Sequence, residues 1–407
     1  MRLTYNRRLY GQRMAVAFRF VWLTCSVLPR LLLAQGFTIS PIARPGDPAP
    51  DGEVFVTAYN VSINDNGQIA FPALISRIIT GLFLFDQGEI FKIAEHGTPT
   101  RCGTFGLFDY PSLNPEGQIA FSAQAGLGGI GVFLWDGNKS QAIACPGDPA
   151  PDCGTFGSVV SNPTLNYGGQ MAFAGRLSTS DFGIFFYDSK KITKITCPGD
   201  PAPGGGNFIR AFVPTINDQG QVAFEAEISP QGSGIFLYDK GEVRAIARQG
   251  DCTPEGGTFG YLTRPRINNL RQVAFVEFRG AMNVLWLDGG KGIRRILPAI
   301  DPETGDEIAL LNPRGGPPHP FYLNDLGQIV FEGRRTGQNG VRQGLLFFDG
   351  ERFANIVFSG DPMPDPHGYL FDDFLRLALN NVGQAAFIAG YPRLSEAGLF
   401  IAVPTSR

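Results

Sequence analysis

NDQGQVAF at 217–224 belongs to a series. The other copies are NDNGQIAF at 64–71, NPEGQIAF at 114–121, NYGGQMAF at 166–173, NNLRQVAF at 268–275, NDLGQIVF at 324–331 and NNVGQAAF at 380–387. Successive copies start 50, 52, 51, 51, 56 and 56 residues apart. A fixed period of this length marks an array of one small supersecondary unit, each copy burying its apolar face against the next.

The first copy shows what the unit is. Residues 55–63 (FVTAYNVSI) read as an apolar strand that ends at Asn64, and Asp65-Asn66-Gly67 supplies a tight turn, because Asn and Gly tolerate positive φ. A second strand follows at 68–74 (QIAFPAL), then a third at 81–85 (GLFLF), closed by Asp86-Gln87-Gly88, and a fourth at 90–94. The third strand recurs as GVFLWDG at 131–137, GIFFYDS at 183–189, GIFLYDK at 234–240 and GLLFFDG at 344–350, with the terminal Asp read as a hairpin-turn residue. Four strands in about 50 residues make one propeller blade. The 53 Gly and 31 Pro fit many short strands joined by tight turns, and no long helical period competes with that reading.

The two ends of the chain complete each other. The last copy stops after its third strand, 398–402 (GLFIA), while 38–46 (TISPIARPG) matches the fourth-strand phrase AIARQG at 245–250. One blade is thus divided between the termini, which removes the open sheet edges at the join. The expected fold is all-β: a seven-bladed β-propeller of four-stranded blades, closed by a split blade of one N-terminal strand and the C-terminal strands.

Residues 1–34 are different material. Arg2, Arg7, Arg8, Arg13, Arg19 and Arg30 occur with no acidic residue, followed by an apolar run from Met14 to Ala34, the layout of an export signal cut near Ala34. Arg19, Pro29 and Arg30 interrupt that run, which argues against a membrane span. Residues 35–407 are then expected to be a single propeller domain. Without the six leader arginines, 28 basic residues face 37 acidic ones, a net charge of −9. That balance speaks against nucleic acid or an anionic membrane as partner.

The phrase Asn-x-x-Gly-x-x-Ala-Phe, linked from copy to copy by Gly-Asp-Pro-Ala-Pro, resembles the exported bacterial tandem-repeat proteins with the NxxGxxAF motif, the choice-of-anchor type. The resemblance covers about 37–402; six copies keep the Gly and all keep the final Phe. The chain departs from the pattern at Arg271, which stands where Gly is expected, and in a longer Pro-rich stretch at 298–320. The resemblance implies export and a propeller-like repeat, and carries no catalytic residues with it.

Loop lengths divide the ring into two faces. Turns between strands one and two and between strands three and four share one face and are short. The opposite face carries the variable links, such as 227–233 and 334–343, and the blade-to-blade links with GDPAP, so binding is expected there, near the central opening. Arg334, Arg335 and Arg342 are the expected contacts to an acidic ligand. Tyr110, Arg210, Arg264, Arg266 and Arg376, on first strands or at their mouths, are the expected channel-lining residues.

Cysteine and metal chemistry point the same way. Cys102, Cys145, Cys153, Cys197 and Cys252 all flank blade-to-blade links, and a disulfide between Cys145 and Cys153 would bracket one of them, leaving an odd thiol. Asp47, Asp148, Asp200, Asp251 and Asp361 of the GDPAP links read as turn residues rather than calcium ligands, which would have to converge on one ion. No metal or cofactor is expected. His96, His319 and His367 stand apart, and no HExxH, GxSxG or Walker phrase occurs. The favoured reading is a secreted, monomeric binding module for a glycan, surface polymer or protein. The alternative is an extracellular glycan-active hydrolase or lyase using channel carboxylates.

Overall fold

The computed structural model describes residues 36–405 apart from 77–78, 127–128, 180, 231, 280–282, 312–320, 339 and 392–395. The expected export leader lies outside the described residues. The fold is a seven-bladed β-propeller of four-stranded antiparallel blades. Blade four is the plainest: Phe208–Ile216, Val222–Ile228, Ser233–Asp239 and Glu242–Arg248 pair in chain order from the channel outward. The innermost strand comes in two pieces in blade one (Thr57–Ala58, Ser62–Ile63) and in blade six (Glu307–Leu310, Phe321–Leu323). Blade seven is the split blade: Phe374–Leu379, Ala385–Gly390 and Ala397–Thr405 are followed outward by Gly36–Ala43, whose register runs from Gly36 opposite Thr405 to Ala43 opposite Leu399.

The repeated aromatics form the core of each blade. The motif phenylalanines, among them Phe71, Phe224 and Phe387, are 0% exposed in all seven copies. Each lies opposite a third-strand residue, and in blade four Phe224 stacks on Phe236 with centroids 5.7 Å apart. A third ring comes from the start of the inner strand: Phe208 stands edge-on to Phe236 at 4.9 Å. Such edge contacts add about 1 kcal/mol each to the area they bury. Blade five replaces the third-strand ring by Trp286, and blade six sets Leu346 opposite Phe331. The ring of Phe236 folds back over Gly234, where an added Cβ would meet it at 2.8 Å, so glycine leaves the ring its place in this blade.

The motif Asn ties blade to blade. Its Oδ1 accepts the backbone N–H of the Gln four residues later, and its Nδ2 donates both to that Gln Oε1 and to the backbone carbonyl of the Asn in the next copy. The inter-blade bond is 2.9 Å from Asn64 to Asn114, 3.1 Å for the next three steps, and 2.9 Å for Asn268 to Asn324 and Asn324 to Asn380. Asn380 returns to Asn64, also at 2.9 Å, so the seven side chains form a closed ring. The motif Gln is used on both sides, since Gln68 and Gln221 donate Nε2 to Asp86 and Asp239 at the ends of their blades' third strands. The motif Gly takes positive φ in all six copies that have it, and Arg271 takes φ 62° in the fifth.

The expected turn role of the link aspartates holds: Oδ2 of Asp47, Asp148, Asp200, Asp251 and Asp361 accepts the backbone N–H three residues earlier. The expected Cys145–Cys153 disulfide is corrected. Cys102 pairs with Cys145 and Cys153 with Cys197, leaving Cys252 as a free, exposed thiol. Cys145 and Cys153 are close in sequence but belong to different blades, at the outer exit of blade two and the inner entrance of blade three. Each bridge joins the entrance of one blade to its own exit.

The reading of 334–343 as a free loop is corrected as well. It is a continuation of the blade-six hairpin, with Ile329–Gly337 paired to Gly340–Phe348 and Arg335 directly opposite Arg342. Arg335 is 11% exposed and pairs with Asp301 at 2.8 Å and Asp306 at 3.2 Å. Arg334 lies 3.5 Å from Glu307, and Arg342 pairs with Asp361 at 2.6 Å while covering the Phe358 ring. The sequence shows three clustered cations; it does not show that the inner strand and the links on either side of blade six bring a carboxylate to each.

Candidate functional site

The inner strands surround a central channel with a cavity of about 1100 Å³. Its walls are shaped by an irregularity that recurs four residues before the motif Asn. There Tyr110-Pro111, Val213-Pro214 and Arg264-Pro265 place a residue at φ 47°, 47° and 55° before a proline, and each coincides with a break in strand register. Left-handed conformation is costly for a side-chain-bearing residue, most of all for β-branched Val213, and such bulges re-aim side chains. Here Tyr110, Val213 and Arg264 all line the cavity.

Three cations converge there. Arg264 and Arg266 from blade five and Arg376 from blade seven line the cavity, and no ion pair among the described residues involves any of them. Arg266 lies over the Tyr322 ring at 4.9 Å and donates to the Pro265 carbonyl, and Arg376 donates to the Leu375 carbonyl at 2.7 Å. The Nε atoms of Arg264 and Arg266 and the Thr215 hydroxyl are buried without a hydrogen-bond partner among the described residues. Burial pulls the Arg264 pKa down, and the Arg266 and Arg376 charges add to this while Glu225 opposes it. A guanidinium nevertheless stays charged at any physiological pH.

Glu225 sits in the same wall. Its Oε2 accepts the Thr263 hydroxyl and the Arg264 backbone N–H, both at 2.5 Å, and burial raises its pKa above the ordinary carboxylate value. Burial also raises the pKa of the Tyr110 hydroxyl, with Asp109 adding to it and Arg376 and Arg264 opposing. At the motif-turn end, the Asn ring is followed by a partial second ring. Asn381 donates Nδ2 to both Asp65 and Asp325, and Asn269 to both Asp218 and Asp325. The channel therefore has a carboxylate-bearing mouth at the motif turns and a guanidinium cluster farther in.

Of the residues expected from sequence, Tyr110, Arg264, Arg266 and Arg376 line this cavity. Arg210 does not; it pairs with Glu227 at 2.8 Å. Arg334, Arg335 and Arg342 are held by the ion pairs of blade six, His96 and His367 are not in the lining, and His319 lies outside the described residues. Asn60, Tyr261 and Glu225 went unrecognised in the sequence. The X-Pro step four residues before the motif Asn was the available signal for the wall, since a proline inside a strand demands a bulge.

The chain belongs to a family of unknown function (DUF7453), whose model matches residues 28–284, more than half of its length. No curated protein matches it. Among solved structures it is similar to a puromycin-hydrolyzing peptidase of Mycobacterium tuberculosis, at TM-score 0.54 and 13% identity over 90% of this chain and 54% of that one. The chain thus spans about half of that peptidase. It is also similar to virginiamycin B lyase from Staphylococcus aureus, at TM-score 0.45 and 12% identity over 90% of this chain and 99% of that one. The lectin of Aleuria aurantia gives TM-score 0.39 and 12% identity over 75% of this chain and 97% of that one. Identities this low speak to the fold alone.

Proposed function

We propose that the protein is an exported binding module whose channel takes an anionic polysaccharide or surface polymer. The observation that carries this reading is the convergence of Arg264, Arg266 and Arg376 on one cavity without a protein carboxylate in ion-pair contact, in a domain that is otherwise acidic. Unpaired guanidinium groups offer planar, charge-assisted donors suited to carboxylate or sulfate groups. Tyr110 and Tyr261, both substantially exposed, add flat surfaces of the kind sugar rings stack on.

The remaining parts of the reading follow from it. The acid-free leader and the two disulfides support an extracytoplasmic location; on this reading the leader is cut near Ala34 and the 35–407 domain acts as a monomer of the NxxGxxAF class. Among the described residues, no helix is long and apolar enough to cross a membrane. The alternative, a hydrolase or lyase, would draw on the four carboxylates lining the cavity, Asp65, Asp218, Glu225 and Asp325, each of which accepts hydrogen bonds from the protein.

The test is calorimetric titration of the 35–407 protein with acidic oligosaccharides, galacturonate and sulfated series included. Binding should weaken as salt rises, and Arg264→Ala with Arg376→Ala should reduce affinity tenfold or more, while Arg334→Ala and Arg342→Ala leave it unchanged. Failure of every acidic oligomer to bind, or affinity indifferent to the channel pair, would overturn the proposal.

A further inference from the structure

A second cavity, of about 620 Å³, adjoins the channel at Asn60, Tyr110 and Arg376 and runs along blade two. We propose that it is a subsite for a neutral, hydroxyl-bearing sugar ring, placed beside the anionic group that the channel arginines would hold; the second half of this statement rests on the function proposed above.

Three observations carry the assignment. First, Ser122 lines the cavity at 1% exposure, and its Oγ has no hydrogen-bond partner among the described residues. At the same place in blade four the longer Glu225 reaches Thr263 and Arg264 of the next blade; the serine makes no such bond among the described residues. A buried hydroxyl without a partner is costly, and a ligand hydroxyl that reaches it recovers that cost. Second, Asp109 accepts both the Tyr110 backbone N–H and the Asn60 side-chain amide on Oδ1, which fixes the carboxylate and leaves Oδ2 outside these bonds as an acceptor at the cavity wall. Gln124 adds a side-chain amide to the same wall.

Third, the rim carries exposed apolar surface. Tyr59 is 39% exposed and Leu107 60%, large side chains left uncovered at the rim of a polar-floored cavity. A pyranose has this same division, with C–H faces that pack on aromatic or aliphatic surface and a hydroxyl edge that bonds acceptors and amides. Asp109 and Arg376 put one charge of each sign in the lining, a balance that suits a neutral ring. Arg376 and Tyr110 belong to both cavities and would sit between the two adjoining units.

The subsite is tested independently of the channel by saturation-transfer NMR on the 35–407 protein, using methyl glycosides of glucose, galactose, mannose and N-acetylglucosamine. At least one should receive saturation, and Arg264→Ala should keep it. Ser122→Val, which fills the floor, should lose it by tenfold or more. Leu107→Ala, at an exposed position that folding does not depend on, removes apolar rim surface, should weaken it too, and serves if the valine variant does not fold. No transfer to any of the four glycosides, or transfer unchanged in both Ser122→Val and Leu107→Ala, overturns the subsite, whatever galacturonate oligomers do in the channel. Loss of oligogalacturonate binding with glycoside transfer intact would instead count against the channel alone.

Discussion

Asn380 donates its side-chain amide to the backbone carbonyl of Asn64, 316 residues away in sequence and 2.9 Å away in space. This bond closes the inner ring at the seam that the pairing of Gly36–Ala43 with the last strand closes at the rim. Asn380→Ala would remove the partners of the Gln384 N–H and Gln384 Oε1 and leave the Asn64 carbonyl with only the Gly67 N–H, at a position where Asn380 itself is buried. The expected loss is about 2–4 kcal/mol, at roughly 1 kcal/mol or more for each buried group. Urea unfolding measures it; a loss below about 0.5 kcal/mol, the level of a neutral surface change, would mean the ring is not a structural tie. Deletion of 36–43 should lower the melting temperature more, because it also exposes a strand edge.

Arg271 occupies the left-handed turn position that glycine fills in the other six copies, and it is exposed. A side-chain-bearing residue in that region is disfavoured by about 1–2 kcal/mol, partly offset by the greater freedom of glycine when unfolded. Arg271→Gly should therefore stabilise the protein by about 0.5–1 kcal/mol. A lower melting temperature in the variant would contradict this account.

The 35–407 protein should titrate one thiol per chain under denaturing, non-reducing conditions, that of Cys252. Peptide mapping should recover Cys102 with Cys145 and Cys153 with Cys197. Replacing both cysteines of the first pair by Ser removes a crosslink across a separation of 43 residues. The chain-entropy estimate for such a loop is about 4 kcal/mol. A Cys145–Cys153 peptide would refute the within-blade pairing.

Glu225 has a raised pKa in the folded state, chiefly from burial. The folded protein holds this proton more tightly than the unfolded chain, so the group's contribution is most favourable below its ordinary value of 4.5 and is lost as pH rises through the folded value. Glu225→Gln keeps an oxygen for Thr263 and Arg264 and removes the charge. Its melting temperature should match wild type near pH 4 and exceed it increasingly toward neutrality. A difference that stays constant from pH 4 to pH 8 would exclude burial of this charge as the cause.

The sequence by itself determined the number of blades, their four-strand build and the split blade. Each of these rests on local signals that repeat: a period, an Asn-Gly turn, a Gly before an aromatic run, and complementary fragments at the two ends. It also placed Tyr110, Arg264, Arg266 and Arg376 on the channel, because strand order alone sends first strands inward. Tertiary structure decided everything that depends on which copies meet. Cys145 and Cys153 are eight positions apart yet sit on different blades, so spacing misassigned the disulfide. Arg335 looked free because Asp301 and Asp306 reach it from a link some thirty residues earlier. The Asn ring followed the same rule: a motif shows that the residue recurs, while only the closed ring shows that each side-chain amide is used by the next blade, and the last by the first.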